Sequence, residues 1–219
     1  LVPAGSISTS VTLAAVSDLL DEDNETITLG INVGVNATNV STPKTVTITD
    51  NDAIPDVTLS AGSNLNMAET GGTKNITVTL SAVAGRDVTV TLSRSGTAKE
   101  NKDYTLSSST IVIPEGSLSS FVLLTAMGDV LDEIDQETVI IDINTVTNAQ
   151  EKDGFQQQIV VIQDDDPPPT VTLTVGDPSM DEDVGVTVTF VTVTLNVASG
   201  QDVTVNMAKS GTAKDDIDY

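Results

Sequence analysis

The sequence has no cysteine and no histidine among its 219 residues, and aromatic residues make up only 2% of it. Without these two residues the chain cannot form disulfide bridges, thiolate or imidazole zinc sites, or a histidine-activated serine nucleophile. A glycosidase that uses paired carboxylates needs a sugar-binding cleft, which aromatic side chains normally line. These absences predict that the protein is not an enzyme.

Positive charge is also scarce. Nine Lys and Arg residues stand against 32 Asp and Glu residues, which gives a formal net charge of -23. Such a surface repels nucleic-acid phosphates and anionic membranes, so we expect no nucleic-acid partner. Cations are the partners that such a surface favours. The sequence lacks an apolar run of roughly 18 residues, so no direct membrane insertion is expected.

The apolar residues point to β-structure. They make up 38% of the sequence and are mostly Val, Ile and Leu, interspersed with many Thr residues. β-branched residues favour strands, and period-two alternation in the middle of the chain marks seven of them. This number and spacing predict an all-β fold of immunoglobulin-like β-sandwiches. The predicted strands contain Val57–Leu59, Ile76–Leu80, Val88–Leu92, Ile111–Ile113, Phe121–Leu124, Val139–Ile143 and Ile159–Ile162.

The sequence repeats itself. The decapeptide SGTAKENKDY at 95–104 returns as SGTAKDDIDY at 210–219, and other segments recur at a spacing of about 114 residues. DLLDEDNET, from Asp18, likewise pairs with DVLDEIDQET, from Asp129. The pattern predicts the C-terminal half of a unit at 1–55, a complete unit at 56–169 and the N-terminal half of a third at 170–219. We interpret the chain as a window cut from a longer tandem array.

The acidic residues are predicted to gather at one end of each sandwich. If successive strands alternate in direction, the first, third, fifth and seventh all end at the same pole, where the acids follow them. Calcium takes 6–8 oxygen ligands with flexible geometry, which carboxylates from several loops can supply, whereas magnesium usually keeps more of its waters. The alternative is that these acids only populate loop tips for solubility. The candidate calcium ligands are Glu69, Asp103, Asp129, Asp132, Glu133, Asp135, Asp164, Asp165 and Asp166 in the middle unit, Asp18, Asp21, Asp50 and Asp52 in the first piece, and Glu182 and Asp218 in the third.

The order of motifs in the middle unit resembles the Calx-beta domain family, found in sodium/calcium exchangers and in tandem in large bacterial surface proteins. The motifs are MAETGG, SGTA followed by DY, IPEGS, the acids from Asp129 onward, and DDD at 164–166. The resemblance implies Calx-beta units with calcium at Glu69, Asp103, Asp129, Asp132 and 164–166. It gives Glu137 a structural or supporting role. The first piece departs from the pattern at Asn51, whose amide replaces one carboxylate of the triplet, and its acidic loop is one residue shorter.

These features favour a calcium-binding structural repeat of a long extracellular or cell-surface protein, such as a stalk, an adhesin or a filament. Because Asp164 to Asp166 lead directly into three prolines, calcium at this pole is expected to stiffen the joint to the next unit. A calcium-sensing domain pair and an accessory domain of a polysaccharide-degrading enzyme remain alternatives. The two half-units complement each other, so copies of the chain are expected to associate head to tail.

Overall fold

The structure is a computed structural model that describes residues 1–32, 35–181, 185, 187–215 and 217–218. The described residues contain fourteen β-strands and no helix, which confirms the all-β prediction. No helix in these residues is long and apolar enough to cross a membrane. The strands are β1 Glu25–Leu29, β2 Lys44–Ile48, β3 Asp56–Ser60, β4 Asn66–Ala68, β5 Thr73–Leu80, β6 Val88–Gly96, β7 Tyr104–Leu106, β8 Thr110–Ile113, β9 Ser119–Ala126, β10 Gln136–Thr147, β11 Gln150–Glu151, β12 Gln157–Gln163, β13 Val171–Val175 and β14 Val191–Leu195.

The middle of the chain forms a β-sandwich from two five-stranded sheets. One sheet has the order β4-β12-β10-β6-β8 and the other β11-β3-β5-β9-β7. The alternating Val, Ile and Leu residues of β3, β5, β6, β8, β10 and β12 face inward and form one core. Val57, Ile76, Val88, Val139 and Val160 are completely buried there.

All seven strands predicted for the middle unit are present, and three short strands were not predicted. The most consequential is β4, which carries the chain from the sheet of β3 to the other sheet, where it pairs parallel to β12. Its three residues bury only Met67, so period-two alternation cannot identify it. The switch matters because β4 delivers Glu69 to the end of β12, beside the acidic triplet.

The two outer pieces each form one two-stranded sheet with the register of the middle unit. Val171 of β13 pairs with Leu195 of β14, as Val57 pairs with Leu80 between β3 and β5. In the first piece, β1 and β2 pair antiparallel, with Glu25 opposite Ile48, which matches the register of β10 and β12. The unit limits at residues 55 and 169 remain a prediction.

Candidate metal centre

Three acidic side chains from distant segments meet at one pole of the sandwich. Glu69 follows β4, Asp129 follows β9 and Asp166 follows β12. One carboxylate oxygen from each lies within 4.8 Å of the others, and we call this group the first cluster. The N–H of Glu69 donates to the carbonyl of Gln163 at 3.0 Å, which fixes the Glu69 backbone against the end of β12.

Glu69 is the buried member of the first cluster. It is 4% exposed, and its Oε1 accepts a hydrogen bond of 3.2 Å from the backbone N–H of Asp129. Its Oε2 is buried without a hydrogen-bond partner, as are Oδ2 of Asp166 and Oδ1 of Asp164. Desolvation raises the pKa of Glu69 to about 7; the hydrogen bond from the Asp129 N–H lowers it, and the neighbouring carboxylate of Asp164 raises it again. Desolvation, followed by repulsion from Asp164, also raises the pKa of Asp166. A bound cation would relieve both the repulsion and the missing contacts.

A second cluster lies at the same pole and contains Asp103, Glu133 and Glu137, again with one oxygen from each within 4.8 Å of the others. The resemblance gave Glu137 only a supporting role, but the geometry places it among the candidate ligands. Desolvation, followed by the charge of Asp103, raises the pKa of Glu137. Its position at the start of β10, directly after the acidic loop, is the sequence signal that could have assigned it to the cluster.

The decapeptide at 95–104 supplies Asp103 to this second cluster. The carboxylate of Asp103, which is 5% exposed, accepts a 2.6 Å hydrogen bond from the backbone N–H of Lys99 and closes a tight turn. Gly96 has φ of 119°, and a Cβ there would lie 2.1 Å from the carbonyl oxygen of Thr138. The N–H of Thr138 donates to Oγ1 of Thr97 at 2.8 Å. The small Gly96 therefore lets the decapeptide lie against β10, beside Glu137.

A lysine already contacts the second cluster. Nζ of Lys102 lies 2.5 Å from Oε1 of Glu133 and 3.2 Å from Oδ1 of Asp103. These two partners, Glu133 first, raise the pKa of Lys102. The corresponding residue of the second decapeptide is Ile217, so that decapeptide has no cation at this position.

Four other predicted ligands of the middle unit lie outside both three-residue clusters. Asp164 lines a small cavity together with Glu69 and Asp103, so it lies between the clusters. Asp165 accepts a 3.2 Å hydrogen bond from Oγ1 of Thr70, and the carbonyl of Asp135 accepts one of 3.3 Å from the N–H of Asp164. The carbonyl of Asp132 instead receives the N–H of Gly200 at 3.0 Å, in the following piece.

The first piece repeats the local geometry of the middle unit without forming a three-residue cluster among the described residues. Oδ1 of Asp18 accepts the N–H of Leu20 at 2.9 Å, as Asp129 accepts that of Leu131 at 2.7 Å. Asp18, Asp50 and Asp52 line one open cavity of about 50 Å³. Desolvation, followed by Asp50, Asp18 and Asp21, raises the pKa of Asp52.

In the third piece the decapeptide turn forms again. Oδ2 of Asp218 accepts the N–H of Lys214 at 2.8 Å, which is the counterpart of the bond between Asp103 and Lys99. Asp218 is nevertheless exposed, whereas Asp103 is buried. Glu182 lies outside the described residues.

Comparison with known proteins gives structural matches only: no protein family and no curated protein matches the sequence. The apo form of the Calx CBD1 domain is 17% identical over 52% of this chain and 100% of its own, with a TM-score of 0.46. The calcium binding domain CBD12 of CALX1.1 is 18% identical over 50% of this chain, with a TM-score of 0.45. Only 44% of that longer protein is matched. A Bacteroides ovatus protein described as a candidate carbohydrate binding protein is 16% identical over 60% of this chain, with a TM-score of 0.40. Calx calcium-binding domains, the family that the sequence motifs resemble, are thus among the solved structures that this chain is similar to.

Proposed function

We propose that this chain is a calcium-binding structural repeat segment of an extracellular or cell-surface protein, in which bound ions stiffen the joints between units. The observation that carries the proposal is the buried carboxylate of Glu69, whose Oε2 has no partner and which faces Asp129 and Asp166. A buried, unpaired carboxylate beside two others is costly, and a cation at this position removes the cost.

Calcium fits this donor set better than other metals. The sequence contains no cysteine or histidine, so the ligands are oxygen atoms, which suit hard cations. The first cluster supplies three carboxylates, and Asp164 lies close enough to both clusters to serve either of them. Water and backbone carbonyls can complete the 6–8 oxygen ligands of calcium, whereas magnesium requires a tighter octahedron.

The second cluster links ion binding to the joint with the next piece. Glu133 contributes its carboxylate to that cluster, while its backbone carbonyl accepts a hydrogen bond from the side-chain amide of Gln201. The neighbouring carbonyl of Asp132 accepts the N–H of Gly200 at 3.0 Å. An ion that orders the loop of Asp132 and Glu133 would therefore order the surface to which the following unit attaches.

The outer pieces carry apolar faces that suit a second copy of the chain. Leu29 is 49% exposed, whereas its counterpart Ile141 in the middle unit is completely buried. Leu173 is 59% exposed, whereas its counterpart Leu59 is 2% exposed. In the middle unit the two corresponding strand pairs face each other across one core. The third piece of one copy can therefore cover the first piece of another, head to tail, which gives an open filament.

Thermal unfolding of the whole chain tests the proposed function. An ion that binds only the folded state stabilises it by about 2.7 kcal/mol at a hundredfold excess over its dissociation constant. Calcium should therefore raise the melting temperature over that in EDTA, and magnesium at the same concentration should do so less. Identical melting curves in calcium and in EDTA would contradict the proposal.

A further inference from the structure

The chain contains the same contact between consecutive pieces twice. In the first joint, between the first piece and the middle unit, the N–H of Gly85 donates to the carbonyl of Asp21 at 3.1 Å. In the second joint, between the middle unit and the third piece, the N–H of Gly200 donates to the carbonyl of Asp132 at 3.0 Å. Each time, the acidic loop of one piece forms a parallel bridge with a residue of the next piece, Ala84 after β5 or Ser199 after β14. The sequence positions match as well, so the joint is part of the repeat.

In both joints a glycine of one piece packs closely against a glutamate side chain of the piece before it. A Cβ at Gly85 would lie 2.4 Å from Cγ of Glu22, and a Cβ at Gly200 would lie 2.7 Å from Cγ of Glu133. Glu22 and Glu133 occupy the same position in the acidic loop of their pieces. The segment that contains this glycine therefore docks on a defined surface, made of the loop carbonyl and the stem of this glutamate.

The residue after the glycine distinguishes the two joints. In the first joint it is Arg86, whose guanidinium lies 2.5 Å from Oδ2 of Asp21 and 2.6 Å from Oδ1 of Asp23. The side chain of Asp21 is 6% exposed, so its pair with Arg86 is largely shielded from water, whereas the side chain of Asp23 is 82% exposed. In the second joint the residue is Gln201, which carries no charge and donates to the carbonyl of Glu133.

We propose that Arg86 acts as a built-in cation that locks the first joint without metal, whereas the second joint depends on a metal ion to neutralise its acidic loop. A guanidinium that bridges two carboxylates neutralises their charge and also makes directional hydrogen bonds to them. The partly buried pair is screened less by salt than a surface pair. Gln201 supplies only one neutral hydrogen bond, so the following piece brings no charge to the second joint. Lys102 of the middle unit pairs with Glu133 there, but among the described residues no ion pair neutralises Asp132. The chain then has one permanently fixed joint and one joint whose stiffness follows the calcium concentration.

Only the second half of this inference, the metal-dependent joint, rests on the proposed function. The first half concerns a side chain and two carboxylates that are in contact in the structure. The two halves can therefore fail separately, and the experiment measures both joints in the same chain.

Pulsed electron paramagnetic resonance on the whole chain measures the two joints, since a chain without cysteine accepts spin labels only where cysteines are introduced. Labels at the exposed Thr47 and Ser119 span the first joint, and labels at Ser119 and Thr192 span the second. Each pair is measured in EDTA, in EDTA with molar salt, and in calcium. The variants are Arg86→Gln and Gln201→Arg. The control is Arg94→Gln, which removes an arginine that pairs with Glu100 at 2.8 Å inside the middle unit.

In EDTA we expect a narrow distance distribution across the first joint in the unmodified chain and in Arg94→Gln, and a broad one in Arg86→Gln. Across the second joint, the unmodified chain should give a broad distribution in EDTA and a narrow one in calcium. Gln201→Arg should give a narrow distribution there even without calcium, because the new guanidinium faces Asp132. The inference is overturned if the distance distribution across the first joint stays narrow in Arg86→Gln. It is also overturned if the distribution across the second joint stays broad in Gln201→Arg in EDTA. A second joint that calcium does not narrow counts against its metal-dependent half and leaves the result for Arg86 standing.

Discussion

The backbone N–H of Asp129 donates to Oε1 of Glu69 at 3.2 Å, while the second oxygen of Glu69 is buried without a partner. The hydrogen bond orients the carboxylate toward Asp129 and Asp166, and the unpaired oxygen makes this arrangement costly in the absence of a cation. The same side chain should therefore destabilise the calcium-free protein and stabilise the calcium-bound one.

Glu69→Gln tests whether this side chain has opposite effects on stability without and with calcium. Gln keeps the shape of the side chain and an oxygen that can accept from Asp129, but removes the charge. We expect a higher melting temperature in EDTA and a calcium affinity that is lower by about tenfold or more. Glu151→Gln, at an exposed position on the edge strand β11, removes the same charge and should change neither quantity. Equal effects of the two substitutions would show that only net charge matters.

The raised pKa of Glu69 predicts opposite pH dependences with and without calcium. Folding raises this pKa to about 7, so the folded calcium-free protein holds a proton that the unfolded chain releases at lower pH. The stability that this proton brings is lost as the pH rises through 7. In EDTA the melting temperature should thus be higher near pH 6 than near pH 8, while calcium should bind more tightly near pH 8. Calorimetric scans over this range check both signs, and Glu69→Gln should weaken both dependences.

Lys102 should compete with a metal ion for the second cluster. Its ammonium pairs with Glu133 at 2.5 Å and Asp103 at 3.2 Å, so Lys102→Gln should leave three carboxylates without a cation. Because half of this lysine side chain is exposed, we expect a loss of at most about 1 kcal/mol of stability in EDTA. Calcium binding to the second cluster should become tighter.

Lys99→Gln provides the matched control for Lys102→Gln, because this exposed lysine lies in the same turn and carries the same charge. Titration calorimetry separates the two variants. A calcium affinity that rises equally in both would contradict a specific role of Lys102 at the second cluster.

Gly96 explains why the repeated decapeptide begins with Ser-Gly. Its φ of 119° disfavours any other residue, and a Cβ would press against the carbonyl of Thr138 at 2.1 Å. Gly96→Ala should cost about 1–3 kcal/mol through backbone strain alone, with the clash in addition. Gly116→Ala is the control, since Gly116 has φ of 76° but nothing within 4 Å of its Cβ position. Urea unfolding should show a clearly larger loss for Gly96→Ala.

Period-two alternation and the internal repeat were enough to predict the all-β fold and the seven main strands of the middle unit. They could not predict β4, because three residues with one buried side chain carry too little pattern. They also could not predict the contacts between pieces. The N–H of Gly85 meets Asp21, 64 positions earlier in the chain, through backbone atoms that leave no trace in side-chain chemistry.

The candidate ligands were also predictable only in part. The alternation of strand direction was enough to predict that Glu69, Asp103 and Asp129 lie at one pole, because the pole at which a strand ends depends only on strand order. It could not sort the acids into two clusters, because this depends on how far each loop turns. The carbonyl of Asp132 accepts a hydrogen bond from the next piece. Glu137 lies beside Asp103 because Gly96 lets the decapeptide lie against β10.

Titration of the whole chain with calcium in a calorimeter tests the central claim most directly. We expect saturable binding of at least one calcium ion per chain. The dissociation constant should lie in the range of about 10⁻⁴–10⁻³ M that is typical of extracellular modules. Binding should be lost or strongly weakened in Glu69→Gln and unchanged in Glu151→Gln. An absence of saturable binding up to millimolar calcium, or full binding by Glu69→Gln, would contradict it.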